Sequence, residues 1–147
     1  MTLIHSVRTA LLAAAIAAGG LAAPAQADGS RVVIEQFGTF NEVGGSQSGS
    51  RNRLSVYQDG HRLSSIASQD GHRNRTVIGQ AGGGHTAEAS QRGRCNVTGI
   101  AQFGRGNHAD ARQSGRCHAV GIIQTGRGNS AHTVQRGRGN VAVIVQD

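Results

Sequence analysis

Apolar and polar residues alternate along most of the chain after residue 27, in short stretches separated by glycine-rich turns. Between Asn96 and Gln102, for example, Asn, Thr, Ile and Gln occupy every second position. Alternation with a period of two predicts a β-strand with one buried face. Glycines such as Gly104 and Gly106 follow the stretch and are typical of turns. We therefore expect short strands joined by tight turns.

Glutamine recurs every 11 residues along this part of the chain, and each complete unit has Gly two residues after its Gln. The glutamines are Gln36, Gln47, Gln58, Gln69, Gln80, Gln91, Gln102, Gln113, Gln124, Gln135 and Gln146. Asn stands five residues after most of them, at Asn41, Asn52, Asn74, Asn96, Asn107, Asn129 and Asn140. A helix can also repeat every 11 residues, but the fixed Gly and the many β-branched residues disfavour that alternative.

Alternate units differ nine residues after the Gln, so the true period is 22 residues. One class has large residues there, Val56, Ile78, Ile100, Ile122 and Ile144; the other has small ones, Gly45, Ala67, Ala89, Ala111 and Thr133. This pattern predicts an all-β, amyloid-like, two-sheet β-solenoid, in which each 22-residue coil has two strand-turn units and Ile packs against Ala. We expect stacked Gln and Asn amides to bond one another between coils and so satisfy buried polar groups.

The unit with Gln, Gly two residues on, Asn five on and Gln eleven on resembles the curlin repeat of curli subunits, the functional amyloid of bacterial surface fibres. Ser30, six residues before Gln36, and the string from Gln102 to Gln113 carry the resemblance. The resemblance implies a chain that is exported unfolded through an outer-membrane secretion apparatus. It also implies polymerisation with itself and other curlin subunits into fibres for adhesion and biofilm matrix. The resemblance leaves open whether the chain is the major subunit or the minor, nucleating subunit.

Three residues depart from the family pattern, because Leu63, His85 and His118 stand where Asn is expected. We expect them to interrupt the Asn column. The histidines do not occur at the spacing of known ligand pairs, so we interpret them as turn residues and predict no metal site. No nucleophile and base stand in a recognisable catalytic pattern, and we expect neither a cofactor nor an enzyme activity.

Residues 1–27 have the three parts of a secretory signal. Arg8 gives a basic start, an Ala/Leu run follows, and Ala25-Gln26-Ala27 is a cleavage site of the small-x-small type. We expect a signal peptide over residues 1–27, a curlin-repeat β-solenoid over residues 28–147, and a secreted protein at the cell surface.

The last predicted strand, Val141 to Val145, is apolar on both faces and has no charge, Pro or Gly. Such a strand templates another chain when its edge is not covered. We expect Val141, Val143 and Val145 to form a polymerisation edge on or near which residues 31–36 of the next subunit pair.

The chain is basic, with a net charge of +7, and all its basic residues except histidine are Arg. From Arg92 onward there are eight Arg and two Asp, and we expect Arg94, Arg116 and Arg138 to stack along one edge and Arg105 and Arg127 along the other. One interpretation is a secreted protein that binds extracellular DNA or polysaccharide, an alternative function for the whole chain. The other is a charge that maintains solubility and restricts growth to the ends.

Cys95 and Cys117 are 22 residues apart, one full coil. Stacked strands would bring their Cα atoms into the range of a disulfide, and an exported chain meets oxidising conditions. The sequence leaves open either a bridge between coils or two free thiols.

A capped solenoid that binds a regular surface is a further alternative function. It is disfavoured because one column of outward side chains is mixed, with Ser64, Thr86, His108 and Ser130.

Overall fold

The computed structural model describes residues 29–147. The predicted signal peptide lies outside them. The described part of the chain forms eleven strands, which are β1 (Arg31–Thr39), β2 (Glu42–Ser50), β3 (Arg53–His61), β4 (Ser64–His72), β5 (Arg75–Gly83), β6 (Thr86–Arg94), β7 (Val97–Arg105), β8 (His108–Arg116), β9 (Ala119–Gln124), β10 (Ser130–Arg138) and β11 (Val141–Gln146). The prediction of an all-β chain is confirmed.

The strands form two parallel sheets, one from odd-numbered and one from even-numbered strands. Their orders are β1-β3-β5-β7-β9-β11 and β2-β4-β6-β8-β10. Each residue pairs with the residue 22 positions away, as Gln58 does with Gln80. Parallel neighbours need a crossover, and here one strand of the opposite sheet and two turns supply it. The chain is therefore the predicted β-solenoid with 22-residue coils.

The core is a thin layer in which large residues of the odd sheet pack against small residues of the even sheet. Ile78, Ile100 and Ile122 are buried in the odd sheet, and Ile144 at its end is partly buried. Ala67, Ala89 and Ala111 are buried in the even sheet. Burial of an Ile side chain contributes only about 1.5–3 kcal/mol. Stability of so thin a core therefore depends also on its buried polar side chains.

Every turn contains two positions where the backbone is left-handed. The first is the Gly two residues after each Gln. Gly104 has φ +108°, and a Cβ there would overlap the carbonyl oxygen of Gly126 one coil further on. The second position lies four residues after the Gln and is Gly106 in one coil (φ 66°) but Arg73 (φ 56°) or Cys95 (φ 64°) in others. A residue with a Cβ costs roughly 1–2 kcal/mol in this conformation.

No helix in residues 29–147 is long and apolar enough to span a membrane.

Candidate functional site

Two continuous ladders of glutamine amides run through the solenoid, one in each sheet. In the odd sheet, Gln58 Nε2 donates to Gln80 Oε1 at 2.9 Å and Gln80 Nε2 donates to Gln102 Oε1 at 2.8 Å. The odd ladder joins Gln36, Gln58, Gln80, Gln102, Gln124 and Gln146. The even ladder joins Gln47, Gln69, Gln91, Gln113 and Gln135. Each donor is the residue earlier in the chain, so every ladder bond points the same way.

Buried hydroxyl groups bridge consecutive amides of the ladders from the opposite sheet. Thr98 Oγ1 accepts from Gln91 Nε2 at 3.0 Å and donates to Gln113 Oε1 at 2.9 Å. Thr76 and Ser65 make equivalent bridges in other coils. These bridges join the two sheets across the core. Only Ser65, Thr76 and Thr98 carry a hydroxyl group seven residues after a Gln, and the sequence pattern had not indicated that they bridge the ladders.

The asparagine column differs from the expected stack of bonded amides, because its side chains bond the backbone. Asn74 Nδ2 donates to the carbonyl oxygens of Asp70 and Gly93, and its Oδ1 accepts the N–H of Asn96 one coil on. Asn is one methylene shorter than Gln and follows a left-handed residue. Its amide therefore reaches the turn carbonyls instead of the next side chain. The column closes each turn and also links successive coils.

His85 and His118 continue the asparagine column, so the expectation that they interrupt it is wrong. His85 Nε2 lies 3.1 Å from the carbonyl oxygen of Ala81, and His85 Nδ1 accepts the N–H of Asn107 at 3.1 Å. A carbonyl only accepts, so Nε2 carries the proton and the ring is neutral. His118 makes the same two contacts with Ser114 and Asn140. An imidazole has a donor and an acceptor on opposite sides, as the Asn amide has.

Burial lowers the pKa of His85 below its ordinary value of 6.5, although its backbone hydrogen bonds act in the opposite direction. Leu63, by contrast, interrupts the column as expected, because its side chain is fully buried and has no polar atom. The column is thus maintained by Asn and neutral His together.

The odd sheet has an open edge at β11, which pairs with β9 and with no other strand in residues 29–147. Ala119 donates its N–H to the carbonyl of Asn140, so even-numbered residues of β11 direct their backbone groups at β9. Successive residues of a parallel strand point to opposite neighbours. Val141, Val143 and Val145 therefore direct their N–H and C=O groups to the open side, and their side chains are 72%, 69% and 66% exposed.

A complementary edge lies at β1, which pairs only with β3 among the described strands. Arg31 donates its N–H to Asn52 O, so Val32 and Ile34 direct their backbone groups away from β3. These two residues belong to the inward face, yet they are 52% and 45% exposed because no described coil lies beside them. Both ends of the described solenoid thus present unpaired backbone and uncovered apolar side chains.

Cys95 and Cys117 form a disulfide between successive coils in the structure, with Cα atoms 4.5 Å apart. Both occupy the second left-handed turn position. Cys117 N–H donates to the carbonyl of Arg94, so the backbone also links these coils at the same turn. The covalent link and the ladder therefore constrain the same pair of coils.

The predicted arginine stacks are present, because strand pairing aligns the arginines of successive coils. Arg94, Arg116 and Arg138 pair in register at one turn edge, and Arg105 forms a bridge with Arg127 at the other. Among residues 29–147, no group of three or more His, Cys, Asp or Glu side chains is placed to hold a metal ion.

This architecture defines a class of protein: a two-sheet parallel β-solenoid held by amide ladders, with open strands at the ends of its described part. Residues 27–60 and 86–115 match the model of a family described as curlin associated repeat. The chain therefore contains curlin-associated repeats in both of these stretches. The matched stretches contain β1, β2 and most of β3, and β6, β7 and most of β8, and the same Gln spacing continues through the other strands. No curated protein and no solved structure gives a significant match. The repeat family and the solenoid fold together indicate a structural protein.

Proposed function

We propose that this chain is a structural subunit of an extracellular, curli-type amyloid fibre that serves adhesion and biofilm matrix and grows by templated addition of strands. The curlin-associated repeat supports assembly with copies of itself and with other curlin subunits. Export through an outer-membrane secretion apparatus follows from the proposal, with residues 1–27 as the signal peptide. The subunit acts through its own backbone and ladders and needs no catalytic residue, metal or cofactor.

The observation that carries the proposal is the complementarity of the two ends of the described solenoid. At the β11 end, Gln135 and Gln146 each use one amide N–H on a backbone carbonyl and have a second N–H to donate. At the β1 end, Gln36 and Gln47 present Oε1 atoms, which are acceptors. Head-to-tail contact continues both ladders, whereas two like ends would oppose donors to donors or acceptors to acceptors. Growth by this contact is therefore directional.

A single substitution in β11 tests templated addition. Val143→Pro removes an N–H that points to the open side and leaves the bonds to β9 intact, and proline is tolerated on such edges. We expect the mature variant to fold but to elongate wild-type seeds at a small fraction of the wild-type rate in a thioflavin T assay. Val143→Thr keeps the N–H and is the matched control, with growth near the wild-type rate. Unchanged growth of Val143→Pro would contradict the polymerisation edge formed by Val141, Val143 and Val145.

Binding of extracellular polyanions, DNA or polysaccharide, is a second candidate function. The specific observation that favours it is a concentration of arginines on one turn edge of the solenoid.

A further inference from the structure

The turns that connect each even strand to the next odd strand form one edge of the solenoid, which carries eight exposed arginines. We name this surface the arginine edge; its residues are Arg31, Arg51, Arg53, Arg73, Arg75, Arg94, Arg116 and Arg138. Strand register stacks Arg31, Arg53 and Arg75 in one column. Each of the six layers of the edge has at least one arginine. At a strand spacing of about 4.8 Å the edge is about 24 Å long.

These arginines come from both halves of the chain, and five of them precede residue 92. From the sequence, only Arg94, Arg116 and Arg138 were expected to stack on this edge, and the five arginines before residue 92 were not. The opposite turn edge has three arginines, at positions 62, 105 and 127, and one acidic residue, Glu42. The basic surface thus forms because the 22-residue coils bring arginines from both halves of the chain to one edge.

No acidic side chain neutralises the arginine edge in residues 29–147. The three ion pairs there involve Arg92 with Asp70, Arg112 with Asp110 and His132 with Asp110, and none includes an arginine of the edge. Unpaired like charges at strand spacing repel one another by about 1 kcal/mol per neighbouring pair even in water. A bound polyanion would remove this repulsion.

The edge also has a surface groove lined mainly by residues of three successive coils. Arg51, Arg53, Arg73 and Arg75 line it, and the strand register pairs Arg53 with Arg75. A guanidinium group binds a planar carboxylate through two parallel hydrogen bonds. Consecutive layers therefore offer paired guanidinium groups to acidic groups that repeat along an extended polymer.

We propose that the arginine edge binds a carboxylated polysaccharide that lies along the solenoid axis. Single-stranded nucleic acid is a poorer fit, because its binding depends on aromatic side chains that stack on bases, and the edge has no aromatic residue. Duplex DNA is also a poorer fit, because its phosphates follow a wide helical cylinder, whereas the register stacks Arg31, Arg53 and Arg75 in a single column. This property belongs to the folded solenoid and does not require fibre formation.

The test measures binding of fluorescently labelled, fully de-esterified oligogalacturonate to the mature, oxidised chain, before assembly and as fibres, over a series of salt concentrations. The edge variant combines Arg51→Gln, Arg53→Gln, Arg73→Gln and Arg75→Gln. The control variant combines Arg62→Gln, Arg105→Gln, Arg127→Gln and Arg136→Gln and has the same net charge. We expect the edge variant to lose at least about tenfold in affinity and to depend less on salt, and the control to lose less than about threefold.

Three outcomes would overturn the proposal: equal losses in the two variants, equal binding of neutral dextran, or tighter edge-dependent binding of duplex DNA or oligo(dT) than of oligogalacturonate. Circular dichroism checks that each variant folds. If the edge variant does not fold, the variant Arg94→Gln, Arg116→Gln and Arg138→Gln tests the same edge. Because binding and thioflavin T growth are measured separately, failure of the binding proposal is distinguishable from failure of the fibre proposal.

Discussion

Replacement of His85 by Asn should make the solenoid less sensitive to acid. His85 contributes to the turn only as the neutral ring, because its Nδ1 must accept the N–H of Asn107. A proton on Nδ1 would oppose two donors at 3.1 Å and place a charge in a fully buried position. Asn at the same position in other coils satisfies both the turn carbonyl and the next coil without a titratable group.

The sign and the size of the effect follow from the pKa of His85, which burial lowers below 6.5. As pH falls below 6.5 the unfolded chain takes up a proton on this ring more readily than the folded chain. The stabilisation is therefore complete above pH 6.5 and is lost as pH falls toward the folded-state pKa. At pH 5, about 1.5 pH units lower, the loss is at most about 2 kcal/mol, the limit in which the folded ring takes up no proton.

The measurement is urea unfolding of the mature, oxidised chain, followed by far-ultraviolet circular dichroism at pH 7.5 and pH 5. The difference in unfolding free energy between the two pH values should be smaller in His85→Asn than in the wild type, by up to about 2 kcal/mol. His108→Asn changes an exposed histidine on β8 and is the control, with a wild-type difference. If His85→Asn kept the full acid sensitivity of the wild type, the assignment of a neutral, coil-linking ring would be refuted.

Three further predictions concern the bridges, the glycine column and the disulfide. Thr98→Val should lower the unfolding free energy by about 1 kcal/mol because it removes a bridging hydroxyl group. Thr133→Val should be neutral or stabilising, because the Thr133 hydroxyl is buried without a partner in the described residues. Urea unfolding of the two variants gives the comparison, and equal effects would contradict the bridging role. Gly104→Ala should lower the unfolding free energy by about 3 kcal/mol or more, because its Cβ would meet the Gly126 carbonyl. Gly79→Ala should lower it little, because its Cβ would enter open space. Thermal unfolding compares the two variants, and similar melting temperatures would contradict the close backbone stacking. Reduction of the disulfide should lower the unfolding free energy by about 3 kcal/mol, as expected for a loop of one coil. Urea unfolding with and without dithiothreitol measures this difference. An intact mass that shows two free thiols after air oxidation would refute the bridge.

The fold could be predicted because a strict period fixes both register and layer. Once Gln58 pairs with Gln80, each other residue of the strand has its partner 22 positions on, and side-chain alternation decides which face it occupies. The opposition of Ile in one sheet to Ala in the other follows from the same period. No separate inference about topology was needed, since winding the chain with this period buries the Gln side chains of β3 to β10.

The finer features of the site depend on distances between side chains and backbone, which the period of the sequence does not determine. That Asn amides reach turn carbonyls, and that His85 replaces an Asn, are consequences of side-chain length and ring geometry. Arg73 and Cys95 showed no sign of a left-handed backbone in their residue type; only Gly106 and its counterparts in the same column indicated it. The period predicted the stack of Arg94, Arg116 and Arg138, but the other five arginines of the edge occupy different positions of the repeat and approach that stack only after winding.

The common direction of the glutamine bonds gives the molecule an electrical axis. Backbone dipoles in a sheet largely cancel, but each ladder amide donates toward the later coil, as from Gln102 to Gln124. An amide dipole of about 3.5 D at every step therefore adds along the solenoid. Joined head to tail, such molecules would form a filament with a permanent moment that grows in proportion to its length. Filaments of this chain should orient in a pulsed electric field and reverse when the polarity of the pulse reverses.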